Sequence, residues 1–179
     1  MSREDPHSIL ADGEAKLAAG DLDGALQAFE RAVAAAPRSA VARSKLGLTY
    51  VHKQRWDDAA AEFSRAIQLD PTYAPAYSNL GNVYRERGQI DQAIAQYQKA
   101  ISMDPDYWIA HQNLGVVYKQ QGRVGEAVRE FKIATRLSLR SPGAGEEGPA
   151  RTGGRRVGCL GSGGMMLVGI FGLGPFLRR

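Results

Sequence analysis

Residues 80–105 of the chain read LGNVYRERGQIDQAIAQYQKAISMDP, and this stretch decides the fold. Small and aromatic residues such as Ala93 and Tyr97 recur in it at helical spacing. Gly88 interrupts the pattern at the position of a tight turn. Pro105 ends it, because proline disfavours helix in the residue that precedes it. The stretch therefore predicts two helices joined by a turn.

The same pattern recurs along the chain at an interval of 34 residues, which the prolines at positions 37, 71 and 105 mark. Four columns are filled in every block: glycine (Gly13, Gly47, Gly81, Gly115), alanine (Ala25, Ala59, Ala93, Ala127), an aromatic residue (Phe29, Phe63, Tyr97, Phe131) and a second alanine (Ala32, Ala66, Ala100, Ala134). A leucine and a tyrosine column are filled in three blocks, while the first block has Asp12 and Lys16 there. The period predicts four repeats, at 6–39, 40–73, 74–107 and 108–141.

The residue types in these columns suit packed helix pairs. Glycine and alanine let helix backbones approach closely, and the aromatic side chains fill the space between them. No segment shows the two-residue alternation of apolar and polar residues that strands require. We therefore expect an all-α solenoid of four 34-residue helix-turn-helix repeats, followed by a tail rich in glycine and arginine.

The columns L-G-x-x-Y, A-x-x-x-F/Y-x-x-A and P resemble the tetratricopeptide repeat family, over roughly residues 6–139. One column departs from the family pattern: where a tryptophan is typical, the four blocks have Ile9, Arg43, Tyr77 and His111. The resemblance implies a right-handed superhelix whose first helices line a concave groove. It further implies an interaction scaffold that holds an extended peptide or a partner helix in that groove.

Seven polar residues of the first helices are carried over to the groove by this resemblance: Lys45, His52, Asn79, Asn82, Arg85, Asn113 and Lys119. Asn79 and Asn113 are equivalent and one block apart, which resembles the asparagine ladder of the O-linked N-acetylglucosamine transferase repeats. Amides both donate and accept hydrogen bonds, so they suit contacts to a peptide main chain. The alternative is that both asparagines are solvated or make local contacts. The cation cluster with which co-chaperone repeats bind a terminal carboxylate is missing from the equivalent positions.

The sequence contains no catalytic, metal or cofactor motif that its context supports. A G-x-G-x-x-G spelling at residues 143–148 follows a helix end instead of a strand, and Pro149 follows it directly. The three histidines lie in different blocks. Residues 1–139 carry 17 basic and 17 acidic side chains, so their charge gives no sign of nucleic-acid binding. These observations predict a protein that is not an enzyme.

Composition changes sharply near residue 140, since twelve of the 21 glycines fall in the last 40 residues. We divide the chain into a leader (1–5), the repeats (6–141), a flexible linker (142–156) and a hydrophobic tail (157–179). The segment 157–177 has no charge and is long enough to cross a bilayer, although it is rich in glycine. A membrane anchor, a disordered tail and an out-of-frame end remain as alternatives. The missing signal sequence favours a cytoplasmic location, with this segment as the tether.

A second function follows from the end of the repeat array. No amphipathic helix follows the fourth block to cover its last helix. Val128, Phe131 and Leu137 are the candidates for an exposed apolar surface there. The alternative to a peptide-binding scaffold is thus a self-assembling structural module, which would form a homo-oligomer.

Overall fold

The structure, a computed structural model, describes residues 5–140, and these form eight helices. Their bounds are α1 (Pro6–Ala18), α2 (Leu22–Ala35), α3 (Ala40–His52), α4 (Trp56–Leu69), α5 (Ala74–Glu86), α6 (Ile90–Met103), α7 (Trp108–Gln120) and α8 (Val124–Arg140). This part of the chain contains no strand, and the all-α prediction is confirmed.

The predicted linker at 142–156 and the hydrophobic tail at 157–179 lie outside the described residues. The membrane-anchor hypothesis for 157–177 therefore stays a prediction from the sequence. Within residues 5–140, none of the helices combines the length and the hydrophobicity that crossing a bilayer needs.

The eight helices pack as four pairs, α1 with α2 through to α7 with α8. The second helix of each pair also packs against the first helix of the next pair. First helices of neighbouring pairs touch as well, α3 with α5 and α5 with α7. The first helices therefore form one layer and the second helices another, as in a solenoid.

The glycine column exists because an aromatic ring occupies the space of the missing side chain. A Cβ atom placed on Gly81 would lie 2.6 Å from a ring carbon of Tyr97, which is fully buried. Gly47 meets the ring of Phe63 in the same way, at 2.7 Å. Contact this close fixes how the two helices of a pair cross.

The turn inside each pair ends its first helix in a left-handed residue, the usual place for glycine. Gly20, Gly88 and Gly122 have φ angles of 79°, 73° and 73°. In the second pair Gln54 takes this conformation with a φ of 57°, the one non-glycine residue to do so within residues 5–140. Gln54 lies 34 residues before Gly88, so the period of the repeats predicts a turn there although no glycine marks it.

The two ends of the array have different surfaces. At the first end, Asp12 and Lys16 replace the leucine and tyrosine columns and form an ion pair of 2.9 Å, which makes this face polar. At the other end, Val128 is 45% exposed and Leu139 is 77% exposed. The expectation that Leu137 is exposed is wrong: it is 6% exposed because its side of α8 faces the core.

Candidate functional site

The predicted groove residues lie on α3, α5 and α7, three neighbouring helices of the first-helix layer. Asn79 on α5 and Asn113 on α7 occupy equivalent positions on helices that touch. His52 on α3 and Lys119 on α7 are separated by α5. The structure thus brings the two asparagines to adjacent helices and leaves these two basic residues on helices that do not adjoin.

Asn113 is held in place by the neighbouring repeat. Its Nδ2 donates a hydrogen bond of 3.3 Å to Oγ of Ser78, which is fully buried on α5. The bond uses one N–H of the amide, so the carbonyl oxygen and a second N–H of Asn113 remain available. A half-buried amide with both a donor and an acceptor to spare is suited to bind a peptide main chain.

Asn79 lies at the same position one repeat earlier and is also half-buried. Its side chain makes no hydrogen bond within residues 5–140. The preceding repeat has a buried serine, Ser44, at the position equivalent to Ser78, but Asn79 does not bond to it. Its donor and acceptor groups are therefore available to a ligand.

Asn82 is bound to the core of its own repeat. Its Oδ1 accepts a hydrogen bond of 2.8 Å from the hydroxyl of Tyr97. Burial raises the pKa of Tyr97 to about 12, so the hydroxyl stays a donor at neutral pH. Asn82 therefore orients the buried tyrosine, a role that no sequence pattern indicates.

Lys45 is also occupied, since its Nζ lies 3.0 Å from Oε1 of Glu14 on α1. The lysine side chain is only 12% exposed, while the glutamate is 47% exposed. The pair crosses from one repeat to the next and neutralises the cation. Glu14 could have been identified from the sequence as a partner, because both residues lie on first helices of consecutive blocks.

The remaining predicted cations lie in the last turns of their helices. Arg85 contacts its neighbour Glu86 at 3.0 Å, while His52 and Lys119 are exposed. Positive charge at a helix C-terminus is stabilised by the helix dipole without any ligand. The asparagines, rather than these basic residues, are therefore the distinctive feature of the surface.

Comparison with known proteins identifies the class to which this architecture belongs. A sequence profile described as TPR repeat matches residues 47–84 and 81–122. A crystal structure of MamA is 31% identical, covers 77% of this chain and 81% of its own, and superposes with a TM-score of 0.64. A MamA structure labelled MSR-1 is 30% identical over 77% of this chain and 79% of its own, with a TM-score of 0.58.

A further MamA structure, residues 41 to the end from Desulfovibrio magneticus RS-1, shares the fold at 24% identity and a TM-score of 0.63. It covers 76% of this chain and 77% of its own. A comparison with curated proteins finds no match. The repeat match and the similarity to MamA show that the chain belongs to the tetratricopeptide repeat family, a family of protein-interaction scaffolds.

Proposed function

We propose that this protein is a non-enzymatic scaffold that binds an extended segment of a partner protein across α5 and α7. The observation that supports this proposal is the pair of half-buried amides, Asn79 and Asn113, on touching helices one repeat apart. Each has hydrogen-bonding groups to spare, and Ser78 holds the orientation of Asn113.

An extended main chain presents N–H and C=O groups at regular intervals, and each unpaired group costs free energy when it is buried. Two amides of fixed orientation can satisfy such groups whatever the peptide side chains are. Lys119, more than one helical turn beyond Asn113, adds positive charge at one end of α7. The ligand is therefore recognised first by its backbone and second by its charge.

The test is a pull-down with the full chain, in which captured proteins are identified by mass spectrometry. Asn79→Ala combined with Asn113→Ala removes both amides from the first-helix layer. The matched control, Gln68→Ala with Gln92→Ala, removes two exposed amides from α4 and α6 in the other layer.

Partners that bind the wild type and the control but not the asparagine variant support the proposal that the ligand binds through Asn79 and Asn113. The proposal is wrong if the asparagine variant, folded as judged by circular dichroism, captures the same partners as the wild type. Thermal unfolding of both variants distinguishes lost contacts from lost structure.

Self-association through α8 is the second candidate function, because apolar side chains are exposed on this helix. Val124 is 62% exposed, Val128 45% and Leu139 77%. The polar face of α1, with its Asp12–Lys16 pair, is a poor surface for stacking on α8 from another copy. Two copies of α8 packed against each other would instead bury apolar surface on both sides.

Sedimentation of the full chain tests this alternative. Val128→Ser with Leu139→Ser should convert an oligomer into a monomer, without the loss of core packing that Leu137→Ala would cause. An oligomer that survives this substitution, or a wild type that is already a monomer, contradicts self-association through α8.

A further inference from the structure

The column in which the family pattern has tryptophan is used here for polar contacts to the connection between repeats. In three repeats a side chain of this column meets the carbonyl oxygen of the proline six residues before it. An arginine nitrogen of Arg43 donates to Pro37 O at 3.4 Å, the hydroxyl of Tyr77 to Pro71 O at 3.1 Å, and Nε2 of His111 lies 3.2 Å from Pro105 O.

The residue nineteen positions after each member of this column has a complementary charge. Arg43 pairs with Glu62 at 3.0 Å, and Nδ1 of His111 lies 2.7 Å from Oε2 of Glu130. In the third repeat the column residue is the neutral Tyr77, and a neutral glutamine, Gln96, stands nineteen positions after it. Glutamate thus occurs where the first residue can carry a positive charge.

The imidazole of His111 faces an acceptor on each ring nitrogen, a carboxylate on one side and a carbonyl on the other. A neutral imidazole has one N–H and can donate to only one of them, whereas the imidazolium ion donates to both. The residue is 6% exposed, so water has little access to replace the missing bond.

We propose that His111 and Glu130 form a pH-dependent clasp of the fourth repeat. The protonated imidazole ties α7 both to α8, through Glu130, and to the connection after α6, through the carbonyl of Pro105. Loss of one proton leaves the carbonyl opposite an unprotonated nitrogen, and one of the two ties is lost. The clasp controls how firmly α7, the helix of Asn113 and Lys119, is held.

The ionisable groups around His111 come from few elements. Glu130 is the one that α8 contributes to the imidazole, and Asp104 and Asp106 flank Pro105 in the connection. The carboxylate of Asp104 accepts a bond of 3.1 Å from the backbone N–H of Asp106. Within residues 5–140, no ion pair or hydrogen bond joins His111 to an ionisable side chain of α5 or α6.

The equivalent contacts in the other repeats do not change near neutral pH. An arginine side chain keeps its positive charge at any pH a protein tolerates, and tyrosine as a residue type ordinarily loses its proton only in alkali. Histidine ordinarily ionises at about pH 6.5. A contact that needs the imidazolium ion is strongest in acid and weakens once the imidazole loses its proton.

The test is urea unfolding of the full chain at several values between about pH 5.5 and pH 8.5. Two variants copy the contacts of neighbouring repeats: His111→Arg copies repeat two, and His111→Tyr with Glu130→Gln copies repeat three. The wild type should show a roughly tenfold rise in its unfolding equilibrium constant across this range, the worth of a hydrogen bond to a charged group. Both variants should show much less, because His7 and His52 are exposed and common to all three proteins.

An equal pH dependence in the wild type and in His111→Arg would overturn the proposal. Nitrogen NMR of the wild type provides a measurement that needs no variant. The clasp requires both ring nitrogens of His111 to be protonated at about pH 6, and a single neutral tautomer at that pH would refute it.

Discussion

The ammonium group of Lys53 lies 2.5 Å from the carboxylate of Asp23, one repeat earlier in the chain. The equivalent contact recurs in the next pair of repeats, where Arg87 pairs with Asp57 of the repeat before it. Each ion pair joins the end of a first helix to the first turn of the preceding second helix, and Lys53 lowers the pKa of Asp23. The series stops in the fourth repeat, where Gln121 stands at the cation position.

The series can be completed by Gln121→Lys, which places a cation opposite Asp91. Asp91 has no ion pair within residues 5–140. We expect a small increase in the urea midpoint at low salt, because the new pair links the third and fourth repeats. The gain should vanish at about 1 M salt, where the screening length falls to about 3 Å. Gln120→Lys, which adds the same charge one position away, is the control. An equal gain from it would contradict a specific ion pair between position 121 and Asp91.

The glycine column predicts a large loss of stability from one added methyl group. Gly81→Ala would place a Cβ atom 2.6 Å from the ring of Tyr97, which is fully buried and cannot move aside. We expect a loss of about 1–3 kcal/mol, the usual cost of overpacking, in urea unfolding.

Gly125→Ala, at the start of α8, is the matched control for Gly81→Ala. A Cβ atom there meets nothing within 4 Å, so the substitution should be neutral or stabilise by up to about 1 kcal/mol. Equal effects at the two positions would show that contact with the ring of Tyr97 does not explain the glycine column.

These columns explain why so much of the fold follows from the sequence. Helix propensity favours neither the glycine nor the aromatic residue at these positions. Because the two residues nevertheless recur together in every repeat, the sequence indicates that they pack against each other, as the structure shows. Polar columns carry no such signal: the sequence shows that Arg43 and His111 depart from the family pattern but not that both bond a prolyl carbonyl. Leu137 shows the same limit for an apolar residue. The sequence predicts that it is exposed at the end of the array, whereas its side of α8 faces the core.

The left-handed turn residue of the second repeat predicts a stabilising substitution. Gln54 has a φ of 57°, a conformation that costs a side-chain-bearing residue about 1–2 kcal/mol relative to glycine. Part of this is offset because glycine is more flexible in the unfolded chain. Gln54→Gly should therefore raise the free energy of unfolding by about 0.5–1 kcal/mol.

Gly88→Gln, the reverse change in the next repeat, should lower the free energy of unfolding by a similar amount. Thermal and urea unfolding measure both changes. Destabilisation by Gln54→Gly would mean that the glutamine side chain makes a contact that outweighs its backbone cost.

The candidate site was less predictable than the fold. The resemblance to tetratricopeptide repeats identified the helices on which the seven predicted residues lie, since register alone determines this. Which of them are available to a ligand depends on side-chain partners that lie on other helices. Lys45 pairs with Glu14 on the first helix of the preceding repeat, and Asn82 accepts a hydrogen bond from Tyr97 on the second helix of its own repeat.

The buried tyrosines predict a loss of stability in alkali. Burial raises the pKa of Tyr97 to about 12, well above the ordinary value of 10.0, and it raises the pKa of Tyr107 as well. A raised pKa means that the folded state favours the protonated hydroxyl. The stability that this gives is complete below about pH 10 and is lost as the pH rises towards about 12, by about 2–3 kcal/mol for Tyr97.

Tyr97→Phe separates this effect from the titration of other groups. At pH 7 the variant should be less stable by about 1 kcal/mol, because the hydrogen bond to Asn82 is lost. Between about pH 10 and pH 12 its stability should fall less steeply than that of the wild type, while the part that comes from Tyr107 remains. Urea unfolding at each pH measures both slopes. Identical slopes would mean that the folded repeat opens around Tyr97 before its hydroxyl ionises.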